Sequence, residues 1–153
     1  MSDGSLENYR PLHGLPELAG VADLAGAAGP GLGVQECVDR NDLEQGVTLF
    51  IAERIDLRVD PAMSRAGSTD AAEMRAWVRF TDERPPDTLA AVMFSDAFAP
   101  SIFTRLGRVG WVPTIELTVH IRRRPVPGWM VGRFVTEDLH DGRMIEDGWL
   151  WDA

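Results

Sequence analysis

From about residue 48 onward the chain alternates apolar and polar residues in several separate runs. In "ERIDLRVD", Ile55, Leu57 and Val59 alternate with Arg54, Asp56 and Arg58. In "EMRAWVRF", Met74, Ala76, Val78 and Phe80 alternate with Arg75, Trp77 and Arg79. In "VPTIELTVHIRRRP", residues 112–125, Ile115, Leu117, Val119 and Ile121 alternate with Thr114, Glu116, Thr118, His120 and Arg122. A period of two with β-branched residues predicts half-buried strands. "WMVGRFVTEDL" and "RMIEDGWLWD" predict a hairpin, because Asp-Gly in the intervening "HDG" is a strong turn signal.

One stretch keeps a different period. In "PPDTLAAVMFSDAF", Leu89, Val92 and Met93 recur at helical spacing, and Asp87 follows two prolines as an N-cap. "APSIFTRLGRVG" breaks that helix, and "SRAGSTD" is a turn-rich connection. The order is strand, strand, helix, then at least three antiparallel strands. That order predicts an α+β fold with a helix laid across one face of the sheet. Residues 1–45, rich in Gly, Ala, Pro and Leu, read as a linker-like arm, since interleaved glycines oppose a helix there. Residues 46–153 are the expected folded domain.

Composition narrows the functional classes. The 153 residues suffice for one domain with a real core. No apolar run approaches the ~18 residues of a membrane span. The start "MSDGSLENYR" has no basic region followed by an apolar one, so no secretory signal is expected. Cys37 is the single cysteine, which fits a reducing cytoplasm. The net charge of -9 argues against sequence-independent nucleic-acid binding.

Asp96 is the most informative candidate. Its spacing from Leu89, Val92 and Met93 places it on their apolar face, where an unpaired carboxylate is costly. The plainer alternative is a helix-end carboxylate whose chain has already turned outward before Pro100. Thr114 opens the 112–125 strand, where its hydroxyl can bind a water or a carboxylate. Choice for β-propensity is the plain alternative, and strict pleating points Thr114 away from the helix side unless a bulge follows Pro113. Arg122, Arg123 and Arg124 can hold a phosphate, or form a solvated strand end that discourages edge pairing. His13, His120, His140 and Cys37 have no metal-site spacing. The tryptophans read as core or subunit-contact residues. No nucleophile elbow, phosphate loop or dinucleotide fingerprint is present.

The succession "MRAWVRF", "DTLAAVMFSDAFAPSIF", "GWVPTIELTVHIRRRPVPGWM" and "EDGWLWDA" resembles the C-terminal repeat of acyl-CoA thioesterase II-like, double-hotdog thioesterases. The resemblance covers roughly residues 48–153. It implies a hotdog fold, a curved antiparallel sheet wrapped around one long helix, and hydrolysis of acyl-CoA without metal or organic cofactor. In that family an aspartate, a hydroxyl and a glutamine hold the water. The first two fall on Asp96 in "FSDAF" and Thr114 in "VPTIEL". Relatives continue past "LWD" into a last strand bearing the glutamine, so the chain is expected to be a second repeat without that strand.

Two functions compete. One is an acyl-CoA thioesterase domain with Asp96 as base or water holder, weakened by the missing glutamine. The other is a non-catalytic hotdog that binds acyl groups or serves dimerisation. Hydratase chemistry would want an aspartate–histidine pair ahead of the helix, and none is found. Lacking its internal partner repeat, the chain is expected to form a homodimer or higher homo-oligomer.

Overall fold

A computed structural model of the chain describes residues 33–40, 50–107 and 110–152. Five strands form one antiparallel sheet, and spatial order follows chain order: β1 (Val38–Asp39), β2 (Ile55–Val59), β3 (Glu73–Phe80), β4 (Met130–His140) and β5 (Arg143–Asp152). Two short helices, α1 (Thr88–Ser95) and α2 (Ile102–Leu106), fall between β3 and β4. Most of the arm, together with His13, lies outside the described residues.

The alternating runs become β2 and β3. Ile55, Leu57 and Val59 face the core with Met74, Ala76, Val78 and Phe80, while the intervening residues stay half-buried on the other face. Leu57 stands opposite Val78, and Ala76 opposite Gly132 of β4. The predicted hairpin forms as β4 and β5. Asp141 and Gly142 both take positive φ, 48° and 72°, as a two-residue turn requires.

α1 begins where the sequence placed it. The Asp87 carboxylate accepts the Ala90 N–H at 2.8 Å, capping an otherwise unpaired donor. Its buried face differs from the predicted one. Ala90, Ala91 and Phe94 are buried, whereas Leu89 and Val92 are exposed. The alanines let the helix lie close to the sheet, and Phe94 packs on Phe80 with ring centroids 4.9 Å apart. Burying such a ring is worth roughly 1.5–3 kcal/mol. Where the resemblance implied one long helix, α1 ends after Ser95 and a second helix follows Pro100.

The strand predicted over residues 112–125 does not form. Trp111, Ile115, Leu117 and Ile121 are exposed, and Ile115 is 84% exposed. A strand needs a neighbour for its backbone groups and a cover for its apolar side. This stretch meets β5 through Asp152, which accepts from the Arg123 guanidinium and from the Val126 N–H at 3.0 Å. Two strands, not three, therefore follow the helices among the described residues.

Two strand glycines make room for aromatic rings. A Cβ on Gly132 would come within 2.3 Å of the Phe98 ring, and one on Gly148 within 2.3 Å of Phe134. Phe98 and Phe134 in turn stack with centroids 4.5 Å apart. The opposite face of the sheet carries ion pairs. Arg58 bridges Asp39 at 3.1 Å and Asp56 at 2.8 Å. Glu73, buried, accepts from Arg75 and, at 2.8 Å, from Arg133.

Candidate functional site

The end of α1 sets the position of Asp96. The Asp96 N–H bonds back to the Met93 carbonyl at 3.2 Å, and its φ and ψ of -109° and 4° take the chain out of the helix. Asp96 is exposed rather than buried on the apolar face, because it is the first residue past the last helical turn. The expectation of a carboxylate buried among Leu89, Val92 and Met93 is thus overturned.

Thr114 arrives from the other side. Pro113 fixes its own φ and holds Val112 extended, and the Thr114 hydroxyl donates to Asp96 Oδ1 at 2.6 Å. The structure therefore joins the two residues across 18 positions of chain. It does so without the strand or the bulge that the sequence suggested. A hydroxyl that donates its proton keeps two lone pairs, and a carboxylate accepts at both oxygens. Together they can hold one water and accept its proton.

The pair opens onto a cleft of about 2540 Å³, lined by Phe98, Met130, Phe134 and Leu150 on the sheet side and by Ile115 and Leu117 opposite. That volume far exceeds the roughly 300–1,000 Å³ of a ligand-shaped pocket. It is an open trough.

The arginine cluster divides. Arg123 is committed to Asp152, whose carboxyl burial pushes up but whose bonds from Arg123 and the Val126 N–H hold below its usual value. Arg122 and Arg124 are exposed. The structure does not bring the three arginines onto Asp96.

Other candidates take structural places. Cys37 is buried, and burial, with Asp60 and Glu36 nearby, raises its thiol above the ordinary value, which disfavours a nucleophile. His120 is exposed, and His140 faces Asp141 in the hairpin turn at 3.3 Å. Among the tryptophans, Trp129 lies under Arg79 at 4.5 Å and Trp149 is exposed beside Arg133. Among the described residues no group of three or more His, Cys, Asp and Glu could hold a metal ion. No helix among them is long and apolar enough to cross a membrane.

Sequence reasoning missed Arg40. It lies in the presumed arm, yet it is buried and its Nη1 donates to the Ala97 carbonyl at 2.8 Å. No local pattern links residues so distant in the chain. Missed too was a buried hydroxyl pair, Ser101 and Thr136 at 2.8 Å, which ties the start of α2 to β4.

Residues 34–153 match the family described as the acyl-CoA thioesterase C-terminal domain. The chain belongs to this family. The match takes in every described residue of the thioesterase domain except Gly33, so Arg40, Asp96, Thr114 and the arginine cluster all lie inside it.

Curated relatives of the thioesterase domain are mycobacterial. This chain is 42% identical over 45 residues to the uncharacterized protein Mb0510 of Mycobacterium bovis. The uncharacterized proteins MT0519 and Rv0499 of Mycobacterium tuberculosis match at the same level. Each match covers 29% of this chain and 15% of the relative, so it spans a small part of those proteins. No solved structure matches the thioesterase domain.

Proposed function

We propose that this domain hydrolyses acyl-CoA thioesters to a free acid and coenzyme A, using Asp96 and Thr114 to hold and activate the water. The observation that carries this reading is the 2.6 Å bond from the Thr114 hydroxyl to Asp96 at the wall of an apolar trough. The acyl chain lies along the trough with its thioester carbonyl at the pair. Asp96 takes one proton from water as the oxygen attacks the carbonyl carbon. The tetrahedral intermediate then collapses, the carbon–sulfur bond breaks, and the leaving thiolate recovers the proton. Base and positioning are typically worth ~100- to 10,000-fold in such a step.

On the same reading residues 46–153 form a hotdog domain, with residues 1–45 an arm whose β1 lies along the sheet. The exposed row of Ile115, Leu117 and Ile121 supports a homodimer or higher homo-oligomer, in which a second hotdog covers it. Arg122 and Arg124, exposed along the same stretch, would meet the phosphates of coenzyme A. The protein would work in the cytoplasm, with no cofactor.

The test follows thiol release from acyl-CoA thioesters of rising chain length. Asp96→Asn keeps the shape and removes the base. It should lower kcat by at least ~100-fold with little change in KM. Thr114→Val should act in the same direction but less, since it removes a hydroxyl that orients Asp96 and the water but takes no proton. Full activity in Asp96→Asn would end the catalytic assignment.

A further inference from the structure

The C-terminal end of α1 carries Asp96 but brings no basic residue of its own in its last turn. The last carbonyls of a helix hold partial negative charge and lack intrahelical donors. Arg40 brings a positive charge to the chain just past that end, from 57 residues away. Its Nη1 donates to the Ala97 carbonyl at 2.8 Å in a buried bond, one residue past Asp96. Burial pulls the guanidinium below its ordinary value, so the fold keeps a charge there at a cost. Ala97 is itself buried, and its N–H bonds to the Phe94 carbonyl at 3.2 Å. The residue after Asp96 is thus held on both sides, its N–H by Phe94 and its carbonyl by Arg40.

We infer that Arg40 is a positioning residue for the thioesterase site: it clamps the Ala97 carbonyl and so aims the Asp96 carboxylate at Thr114. This rests on the reading of Asp96 as the base. It also gives the residues beside β1 a part in the reaction. Side-chain direction at Asp96 depends on the peptide planes flanking it, and the plane Arg40 grips, between Ala97 and Phe98, is the next one along the chain and fixes the far side of Ala97. A shift of about 1 Å at a reacting group can cost 100-fold in rate. Arg40 also lines the trough, but its Nη1 donor is committed to Ala97 and Arg40→Met keeps the stem against the trough wall. Its loss should therefore appear in kcat and spare KM.

The test compares Arg40→Met, which keeps the stem and removes the donor, with Arg40→Lys, which keeps a charged donor. In the full chain, Arg40→Met should lower kcat by about 10- to 100-fold with KM within about two-fold. Arg40→Lys should recover most of that loss. Amide hydrogen exchange at Ala97 and Phe98 should rise in Arg40→Met more than elsewhere. Arg40→Gln is measured beside them and replaces Arg40→Met if that variant does not fold. A folded Arg40→Met or Arg40→Gln with parental kcat overturns the inference. So does an equal loss in Arg40→Lys and the uncharged variant that merely follows lost stability. Asp96→Asn separates the two levels. If it is impaired while the Arg40 variants are not, only the positioning role fails; if it keeps full activity, the catalytic reading fails and the positioning role with it.

Discussion

Gly132→Ala adds one methyl group to a strand, yet the structure makes it costly. The new Cβ would stand 2.3, 2.7 and 3.0 Å from three atoms of the Phe98 ring. Ordinary carbon contacts are about 3.5–4.0 Å, so the ring must retreat by roughly 1 Å or more. One direction is closed, because Phe98 stacks on Phe134 at 4.5 Å and Phe134 already presses on Gly148. Overpacking of this kind costs about 1–3 kcal/mol. Alanine's lower entropy cost in a strand offsets about 0.5–1 kcal/mol of it. Taking the middle of each range, the net loss is about 1 kcal/mol, or a fall in Tm of roughly 2–4 °C for a chain of this length. Urea unfolding followed by tryptophan fluorescence would show a lower midpoint with an unchanged slope. Phe98→Leu removes the obstructing ring atoms, so the double variant should recover about 1 kcal/mol relative to additivity. The reasoning fails if Gly132→Ala unfolds at the parental midpoint. It fails equally if the cost is unchanged when Phe98 is leucine. Phe98 also stands two residues after Asp96, so on the proposed catalytic reading displacing its ring should lower thioester hydrolysis before the fold is lost.

Two further outcomes concern stability. Burial pushes the Glu73 carboxyl up, but bonds from Arg133 and Arg75 outweigh this and hold it below its ordinary value. A depressed folded value means the stabilisation is complete above the unfolded value, about 4.3, and is lost as pH falls through the folded value. Glu73→Gln should cost about 1–3 kcal/mol at neutral pH and flatten that acid limb in urea midpoints taken across pH. An unchanged acid limb would count against the Glu73 assignment. Asp87→Ala should cost about 1 kcal/mol, and Asp87→Asn much less, because asparagine still accepts the Ala90 N–H; equal losses in the two would refute the cap.

β2, β3 and the β4–β5 hairpin were legible because their pattern and their partners agree. Each alternating run there finds a ladder neighbour, and the Asp-Gly turn fixes the register of the last pair. Residues 112–125 have as clear an alternation and no strand. Periodicity reports the capacity to be half-buried, and the partner has to come from elsewhere. The helix was legible in place but not in orientation. Large apolar residues at Leu89, Val92 and Met93 drew the expected face, while the contact is made by Ala90, Ala91 and Phe94. Small residues carry little hydrophobic signal although they permit the closest approach. Asp96 and Thr114 were named from a family likeness and from their types, and neither strand pleat nor helix face explains their meeting. Arg40 had no signal, since its bond joins two segments far apart in sequence.

The connection that leaves β3 at Phe80 and returns at Met130 contains both helices, Asp96 and Thr114. β4 and β5 close through a two-residue turn, a local event of microseconds. β3 can pair with β4 only after this whole connection has been gathered in, and the entropy of closing it grows with its length. The hairpin thus needs nothing from the carboxylate–hydroxyl pair, whose own bond closes 18 residues within that connection. Phe98, lodged over Gly132 of β4, ties the two events together. A chain that has folded its hairpin and no more has its last two strands and lacks the trough wall that Phe98 makes with Phe134. The step that completes the sheet is also the step that seats Phe98, two residues past Asp96, against β4.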